Sequence, residues 1–325
     1  LSRRQRQMCI RDSDHVGTYR TQEERDSTGN RFMADVGGVN VAFLAYTCDT
    51  NAIPVTGFEY AASICAVDYL TGGTEIDYDL MRGDLADAKE AGADGILLMP
   101  PHMWLRFGMN PNAPFEYIKD VAEGADIDII IHLYPATSKA FYPVETLIKM
   151  CKEIDHVKCI KMGTRVTSIY EHDVRLLRQE CPDISLITCH DETLCVSWFP
   201  GMDGALIGFA GCVPELICPA WDVFSHPEKH TLKEAQDWSN RIYHISQAIY
   251  GGGQPSGEAH ARLKEALYQR GIFTSALMRK PVLPLNQEEK DWVALGLERS
   301  QLPKVDMEQY LSLIHISEPT RPISI

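Results

Sequence analysis

An α/β protein with a parallel sheet is the fold class that the sequence predicts. From residue 76 onward, short apolar runs of strand length alternate with segments of helical period. The runs are mostly apolar, which is typical of strands buried on both faces. A closed barrel and an open doubly wound sheet both fit this alternation. The chain contains no GxGxxG and no GxxxxGK[ST] motif, which removes the main support for a nucleotide-binding open sheet.

Six strands are predicted in order. They are expected near residues 41–46, 95–99, 128–134, 157–161, 184–188 and 205–209. Ser168 and Glu171 form a capping-box pattern that predicts the start of the helix after the fourth strand. Three further helical segments follow the last strand without strands between them, near residues 229–250, 256–271 and 287–298. They predict a C-terminal helical appendage.

The predicted organisation is a barrel and its appendage between two detached tails. Residues 14–225 are expected to form the barrel, which includes an unmatched segment near 53–75, and residues 226–311 the appendage. Residues 1–13 and 312–325 resemble translated sequencing-adapter DNA. We therefore expect both tails to pack little against the rest of the chain.

Composition excludes several classes of protein. A net charge of −14 argues against nucleic acid as a partner, because binding phosphates requires clustered Lys and Arg. No apolar run approaches the roughly 20 residues of a membrane span. The ten cysteines are irregularly spaced and form no CxxC pair, which disfavours a zinc ribbon or a disulfide scaffold. The sequence therefore predicts a cytoplasmic protein that binds neither nucleic acid nor a membrane.

Five segments along the chain carry a family resemblance. They are GADGILLMPPHMW (92–104), IIIHLYPAT (129–137), HVKCIKMG (156–163), the segment 188–216, and HARLKEALYQRGIFTSALMRKPVLPL (260–285). In order and spacing they resemble the dihydrodipicolinate synthase/N-acetylneuraminate lyase family. The resemblance implies a (β/α)8 fold of the TIM-barrel type. It also implies a class I aldolase that holds a 2-oxo acid as a Schiff base on a lysine, needs no cofactor and acts with an aldehyde as second substrate. A homotetramer or a homodimer is the assembly that it implies.

The N-terminal third matches the family less completely. Residues 21–46 resemble the second helix and third strand of the family, whereas a competing alignment makes 39–47 the first strand and 58–70 the first helix. In either alignment two strands are missing, and no segment matches the Gly-x-Thr-Gly-Glu loop that holds the substrate carboxylate in the family. The expectation is therefore an incomplete barrel with a defective carboxylate site, and a chain that is not a competent aldolase as it stands.

Lys161 is the candidate nucleophile. It ends a predicted strand, and the active sites of parallel barrels lie at the carboxyl ends of their strands. An amine attacks a carbonyl only when it is unprotonated, and desolvation in a barrel mouth favours that form. The sequence leaves open that Lys161 is an exposed strand-end lysine, as Lys158 on the opposite face is predicted to be. The resemblance implies that Lys161 forms the imine.

His132 and Tyr134 are the candidate proton-relay residues. The resemblance aligns His132 with the catalytic tyrosine of the family's Tyr-Asn-Val-Pro pattern, which is a departure from that pattern. Tyr134 lies two residues later, so it shares the face of His132 and can supply the missing phenol. The alternative is that His132 is a buried histidine hydrogen-bonded to backbone.

Further positions are carried over from the family as substrate-binding residues. They are Thr137, Gly163, Cys189, His190 and Ile207. Thr137 stands where the synthase branch has an arginine for a second carboxylate, and Cys189-His190 replaces Gly-Asp. These departures argue against a true dihydrodipicolinate synthase and leave the lyase-like branches open.

Two other functions remain open from the sequence. His102, His132 and His190 all fall at predicted strand ends, where they could bind a divalent metal for a metal-dependent aldolase or hydrolase. A non-catalytic or inactive truncated barrel is the other alternative, because a fold does not by itself imply a function.

Overall fold

The computed structural model describes residues 21–28, 32–36, 39–43, 78–90, 92–251, 257–278 and 282–305. Both predicted tails and the segment 53–75 lie outside the described residues. The chain divides into two compact units, Leu1–Leu186 and Ile187–Ile325. The predicted boundary between barrel and appendage, at residues 225 and 226, therefore falls inside the second unit.

Eleven helices and seven strands lie in the described part of the chain. The helices are α1 (Gln22–Thr28), α2 (Tyr78–Glu90), α3 (His102–Phe107), α4 (Ala113–Ala125), α5 (Val144–Glu153), α6 (Thr167–Glu180), α7 (Leu194–Trp198), α8 (Pro214–Ser225), α9 (Leu232–Tyr250), α10 (Gly257–Gln269) and α11 (Gln287–Arg299). The strands are β1 (Phe32–Val36), β2 (Val39–Phe43), β3 (Gly95–Leu98), β4 (Asp128–His132), β5 (Val157–Met162), β6 (Ser185–Thr188) and β7 (Gly204–Ala205).

A five-stranded sheet has the strand order β3-β4-β5-β6-β7. The pairs β3–β4, β4–β5 and β6–β7 are parallel, as the alternation of strands and helices predicts. Helices α4, α5 and α6 connect β3, β4, β5 and β6 in turn. Four of the six predicted strands, those near 95–99, 128–134, 157–161 and 184–188, are thus confirmed within one to two residues at either end.

The predicted strand near 41–46 is wrong in its pairing. It corresponds to β2, which pairs antiparallel with β1 in a separate two-stranded sheet, with Phe32 opposite Phe43. Only Gly37 and Gly38 separate the two strands in the sequence. A two-residue connection rich in glycine makes a hairpin, whereas a parallel pair needs a crossover of a dozen or more residues.

The predicted strand at 205–209 is also wrong in its extent. β7 has two residues, and a 3-10 turn follows at Gly208–Gly211. The reason is a competing hydrogen bond, because the backbone N–H of Phe209 donates to the carboxylate of Asp191 at 3.0 Å. That donor is therefore not available to extend the ladder.

In the core of the first unit, the spacing of buried residues matches the period of the helix or strand that carries them. In β4, Ile129 and Ile131 are fully buried between half-buried neighbours, which is the period of two expected of a strand. Helix α4 buries Ile118 and Ala122, which lie four residues apart on one face. The predicted capping box at Ser168 is wrong, because α6 begins at Thr167 and Ser168 lies inside the helix; the N-cap is Val166, with no side-chain cap.

Helices α9 and α11 pack closely in the second unit. Each opens with a complete capping box, formed by Thr231 and Glu234 for α9 and by Asn286 and Glu289 for α11. None of the helices in the described ranges has the length and apolar character that crossing a membrane requires.

Candidate active site

Lys161 and His132 face each other across two neighbouring strands. They are partners in the parallel register of β4 and β5, and the backbone N–H of Leu133 donates to the carbonyl of Lys161 at 2.9 Å. Neighbouring strands lie about 4.8 Å apart, so the two backbones are in direct contact. The register between β4 and β5 shifts between Ile129 and Ile130. His132 and Lys161 pair in the register that follows this shift.

The two lysines of β5 have different surroundings. Lys158 is exposed, whereas Lys161 is half-buried at the end of the strand. Their separation of three residues places them on opposite faces of the strand, as predicted. Lys161 is therefore the lysine of this strand that lies beside the histidine.

The imidazole of His132 is neutral at ordinary pH. Burial, followed by the positive charges of Lys161 and then Arg165, lowers its pKa from 6.5 to about 4. Its Nδ1 is buried and finds no hydrogen-bond partner among the described residues. A neutral imidazole with a buried nitrogen can accept or donate a proton during a reaction. The alternative, that His132 is hydrogen-bonded to backbone, finds no support at Nδ1, because no backbone group among the described residues bonds to that atom.

Two tyrosines extend the site from His132. The rings of His132 and Tyr134 are 5.0 Å apart and nearly perpendicular. Burial raises the pKa of Tyr134, so its hydroxyl stays protonated and can donate. Tyr142 is 1% exposed, its hydroxyl has no partner among the described residues, and burial followed by Tyr117 and Tyr134 raises its pKa. The sequence did not single out Tyr142, because it lies eight residues past Tyr134 and nothing local predicts an electrostatic effect between the two.

The loop between β5 and α6 adds three residues to the site. Gly163 and Thr164 are buried, and the Thr164 hydroxyl has no hydrogen-bond partner among the described residues. Arg165 donates from Nη1 to the carbonyl of Gly163 at 3.0 Å. Gly163 was expected at the site from the family resemblance, whereas Thr164 and Arg165 were not, although their position three and four residues after Lys161 was a usable signal.

The remaining predicted substrate-binding residues have varied surroundings. Thr137, in the first unit, is exposed. In the second unit Cys189 and His190 are buried and Ile207 is half-buried. The Nδ1 of His190 lies 3.5 Å from the hydroxyl of Thr193.

Asp191 anchors the loop after β6 within the second unit. Its carboxylate accepts hydrogen bonds from the backbone N–H of Phe209 at 3.0 Å and from the hydroxyl of Tyr250 at 2.8 Å. The hydroxyl of Ser246 donates to the Asp191 carbonyl at 2.8 Å. Burial raises the pKa of the carboxyl, although the hydrogen bonds from Phe209 and Tyr250 oppose the change. With its polar contacts directed to Phe209 and helix α9, Asp191 is a structural residue, and sequence reasoning did not single it out for that role.

The metal hypothesis gains no support from the described residues. Within them, no group of three His, Cys, Asp or Glu side chains is arranged to hold a metal ion. His132 lies in the first unit and His190 in the second, and the side chain of His102 lies outside the described part of the structure.

Comparisons with solved structures show the fold. A dihydrodipicolinate synthase from Thermotoga maritima has a TM-score of 0.59 and 17% identity, with coverage of 69% of this chain and 72% of that one. A prophage protein of the dihydrodipicolinic acid synthase family from E. coli K12, solved in complex with pyruvate, has a TM-score of 0.58 and 18% identity over 67% of this chain and 70% of its own. The fold is thus of the (β/α)8 TIM-barrel type, as predicted.

Sequence comparisons point to the same family. An uncharacterized DapA-like lyase from Pyrococcus horikoshii is 26% identical over 201 residues, which are 62% of this chain and 66% of that protein. A 4-hydroxy-tetrahydrodipicolinate synthase from Campylobacter jejuni is 25% identical over 62% of each chain. This chain therefore spans slightly less than two thirds of the length of these two relatives. The family model for the dihydrodipicolinate synthetase family matches residues 84–299, and the chain belongs to that family.

Proposed function

We propose that the protein is a carbon–carbon lyase that forms a Schiff base between Lys161 and a 2-oxo acid, for aldol addition or retro-aldol cleavage. The observation that carries the proposal is the in-register pairing of Lys161 with a half-buried, neutral His132 at the ends of β5 and β4. Family membership supports the reaction class. The pyruvate in the E. coli structure of similar fold supports the substrate class.

Imine formation requires two proton transfers. The neutral amine of Lys161 attacks the C2 carbonyl of the 2-oxo acid and gives a carbinolamine. Its hydroxyl then leaves as water after it receives a proton, and a protonated imine remains. Tyr134 is suited to donate that proton, because burial keeps its hydroxyl protonated, and the neutral His132 is suited to accept the proton that the amine releases.

Cleavage follows from the imine as an electron acceptor. For a 4-hydroxy-2-oxo acid, a base removes the proton of the 4-hydroxyl and the C3–C4 bond breaks. The electron pair moves to the imine nitrogen, an aldehyde leaves, and an enamine remains. The enamine takes a proton at C3, and water then hydrolyses the imine to release the 2-oxo acid and the free lysine. Addition runs through the same steps in reverse.

The first test is chemical trapping of the imine. Incubation with pyruvate and borohydride should add the reduced pyruvyl group to Lys161, which peptide mass spectrometry locates. Lys161→Ala should abolish the adduct, whereas Lys158→Ala is the matched control, because Lys158 is exposed on the same strand. An unlabelled Lys161, or equal labelling of exposed lysines, would contradict the proposal and favour a non-catalytic barrel. Trapping measures imine formation apart from turnover, which matters because no match to the family's carboxylate loop occurs in the sequence.

The proposal extends to the cellular setting. In the described residues, seven cysteines have free thiols, and they support a reducing cytoplasm as the location.

A further inference from the structure

Two cysteines lie where helices α5 and α6 pack together in the first unit. Cys151 is half-buried in the last turn of α5, and Cys181 is buried as the C-cap residue of α6. The thiol of Cys181 lies 4.0 Å from the carbonyl oxygen of Ile148, to which it donates. Ile148 precedes Cys151 by three residues and shares its face of α5. The two thiols therefore lie on the facing surfaces of one helix pair.

An ion pair beside the thiols holds the same ends of the two helices together. The Nζ of Lys152 lies 2.6 Å from Oε2 of Glu180. Lys152 directly follows Cys151 in the sequence. Glu180 directly precedes Cys181, so two consecutive residues of α5 meet two consecutive residues at the end of α6. A hydrogen bond also joins the two thiols.

Each thiol reacts slowly by itself. Burial, followed by the effects of the neighbouring Cys181, raises the pKa of the Cys151 thiol to about 12. Burial also raises the pKa of Cys181. Because the thiolate is the form that attacks a disulfide, both cysteines are slow nucleophiles at neutral pH. Once one of them has been oxidised, however, the next step is intramolecular, because the other thiol is already in place.

We propose that Cys151 and Cys181 are a redox site that forms a disulfide with a low-molecular-mass disulfide as the oxidant. The half-buried Cys151 attacks one sulfur of the oxidant as a thiolate, which gives a mixed disulfide and releases one thiolate. Cys181 then attacks the sulfur of Cys151, and the second thiolate leaves. The two cysteines lose two electrons and two protons. The oxidant gains both electrons, and its two released thiolates take up the protons.

The disulfide would enclose the strand that carries the proposed nucleophile. Cys151 and Cys181 are 30 residues apart, and β5 with Lys161 lies between them. A cross-link that closes such a loop stabilises a protein mainly by restricting its unfolded chain. Oxidation should therefore make this part of the protein harder to unfold, and a thiol reductant should reverse the change.

The experiment is equilibration of the whole protein with oxidised glutathione, compared with the same protein in dithiothreitol. After the free thiols are alkylated and the protein is digested, mass spectrometry should find the peptides of Cys151 and Cys181 linked, with the loss of two hydrogen atoms. The oxidised protein should have a thermal unfolding midpoint about 5–10 °C higher. Cys151→Ser and Cys181→Ser should each remove the link and the increase. Cys218→Ser is the matched control, because Cys218 is an exposed cysteine of α8, and it should retain both.

Several results would overturn the proposal. One is that both thiols are still alkylated after equilibration, and another is that glutathione stays attached to Cys151 without a link to Cys181. A link that forms only when urea is present would show that the folded chain does not bring the sulfurs together. A link without an increase in the unfolding midpoint would refute the stabilising role. The serine variants are compared with the unaltered protein in dithiothreitol, where equal midpoints show that each variant folds.

Discussion

Replacing His132 by glutamine should make the free energy of unfolding less sensitive to acid. The pKa of His132 is about 4 in the folded protein and 6.5 for an exposed histidine. Between these pH values the unfolded chain binds a proton that the folded chain does not, so stability falls as the pH falls. One pKa unit corresponds to about 1.4 kcal/mol, so the native protein should lose about 3 kcal/mol from this residue between pH 6.5 and pH 4.

The assay is urea unfolding at pH 7, 6, 5 and 4, followed by circular dichroism. His132→Gln has no imidazole to protonate, so its stability should fall less over this range, by about 3 kcal/mol. His260→Gln is the control, because His260 is exposed on α10 and meets water in both states. If the native protein and His132→Gln lose stability in parallel below pH 6.5, the imidazole is not held neutral by its surroundings, and the reasoning about the proton acceptor is refuted.

Two further predictions concern the packing of the second unit, and the control for one of them is a glycine of the first unit. Gly296→Ala should destabilise the protein by about 1–3 kcal/mol in thermal unfolding, because the new methyl group would collide with Ala248 where α11 meets α9. Gly83→Ala in helix α2 is the control. Its new methyl group meets nothing within 4 Å, so this change should be neutral or stabilise the protein by up to about 1 kcal/mol. Tyr250→Phe should cost about 1–3 kcal/mol, because it removes a hydrogen bond from the buried Asp191 carboxylate, whereas Tyr243→Phe, at an exposed position of the same helix, should change the unfolding midpoint little. Equal effects within either pair would contradict the packing described.

The sequence predicted the elements whose signals are local. The runs that became β3, β4 and β5 are mostly apolar and bounded by prolines or helical periods, so their positions follow from the local pattern. The pairing of β1 with β2 was not predicted, although Gly37-Gly38 is a sequence signal for a two-residue turn, because the resemblance of residues 21–46 to the family implied a helix and a barrel strand there. Ser168 has the residues of a capping box, yet α6 begins at Thr167. A capping pattern stabilises a helix start only where the backbone places the cap residue outside the helix.

The candidate site was predictable only in part. Lys161 and His132 end neighbouring strands, and the carboxyl ends of parallel strands meet at one edge, so their proximity follows from the order of elements. Tyr142, Thr164 and Arg165 were missed for a different reason. A tyrosine, a threonine and an arginine in loops are common on protein surfaces, and only their burial or charge in the folded chain marks them.

The hydrogen bonds of Asp191 have a consequence for the order of folding. Asp191 is bound by Ser246 and Tyr250, which lie 55 and 59 residues later in the chain. A ribosome makes the chain from the N-terminus, so the loop after β6 cannot reach its final form until α9 has been synthesised. The partners Lys161 and His132 are 29 residues apart in the sequence and meet without that helix. The native pairing of the proposed nucleophile with the proposed proton acceptor thus uses only chain up to β5, whereas the native surroundings of Cys189 and His190 beside Asp191 require residues as late as Tyr250.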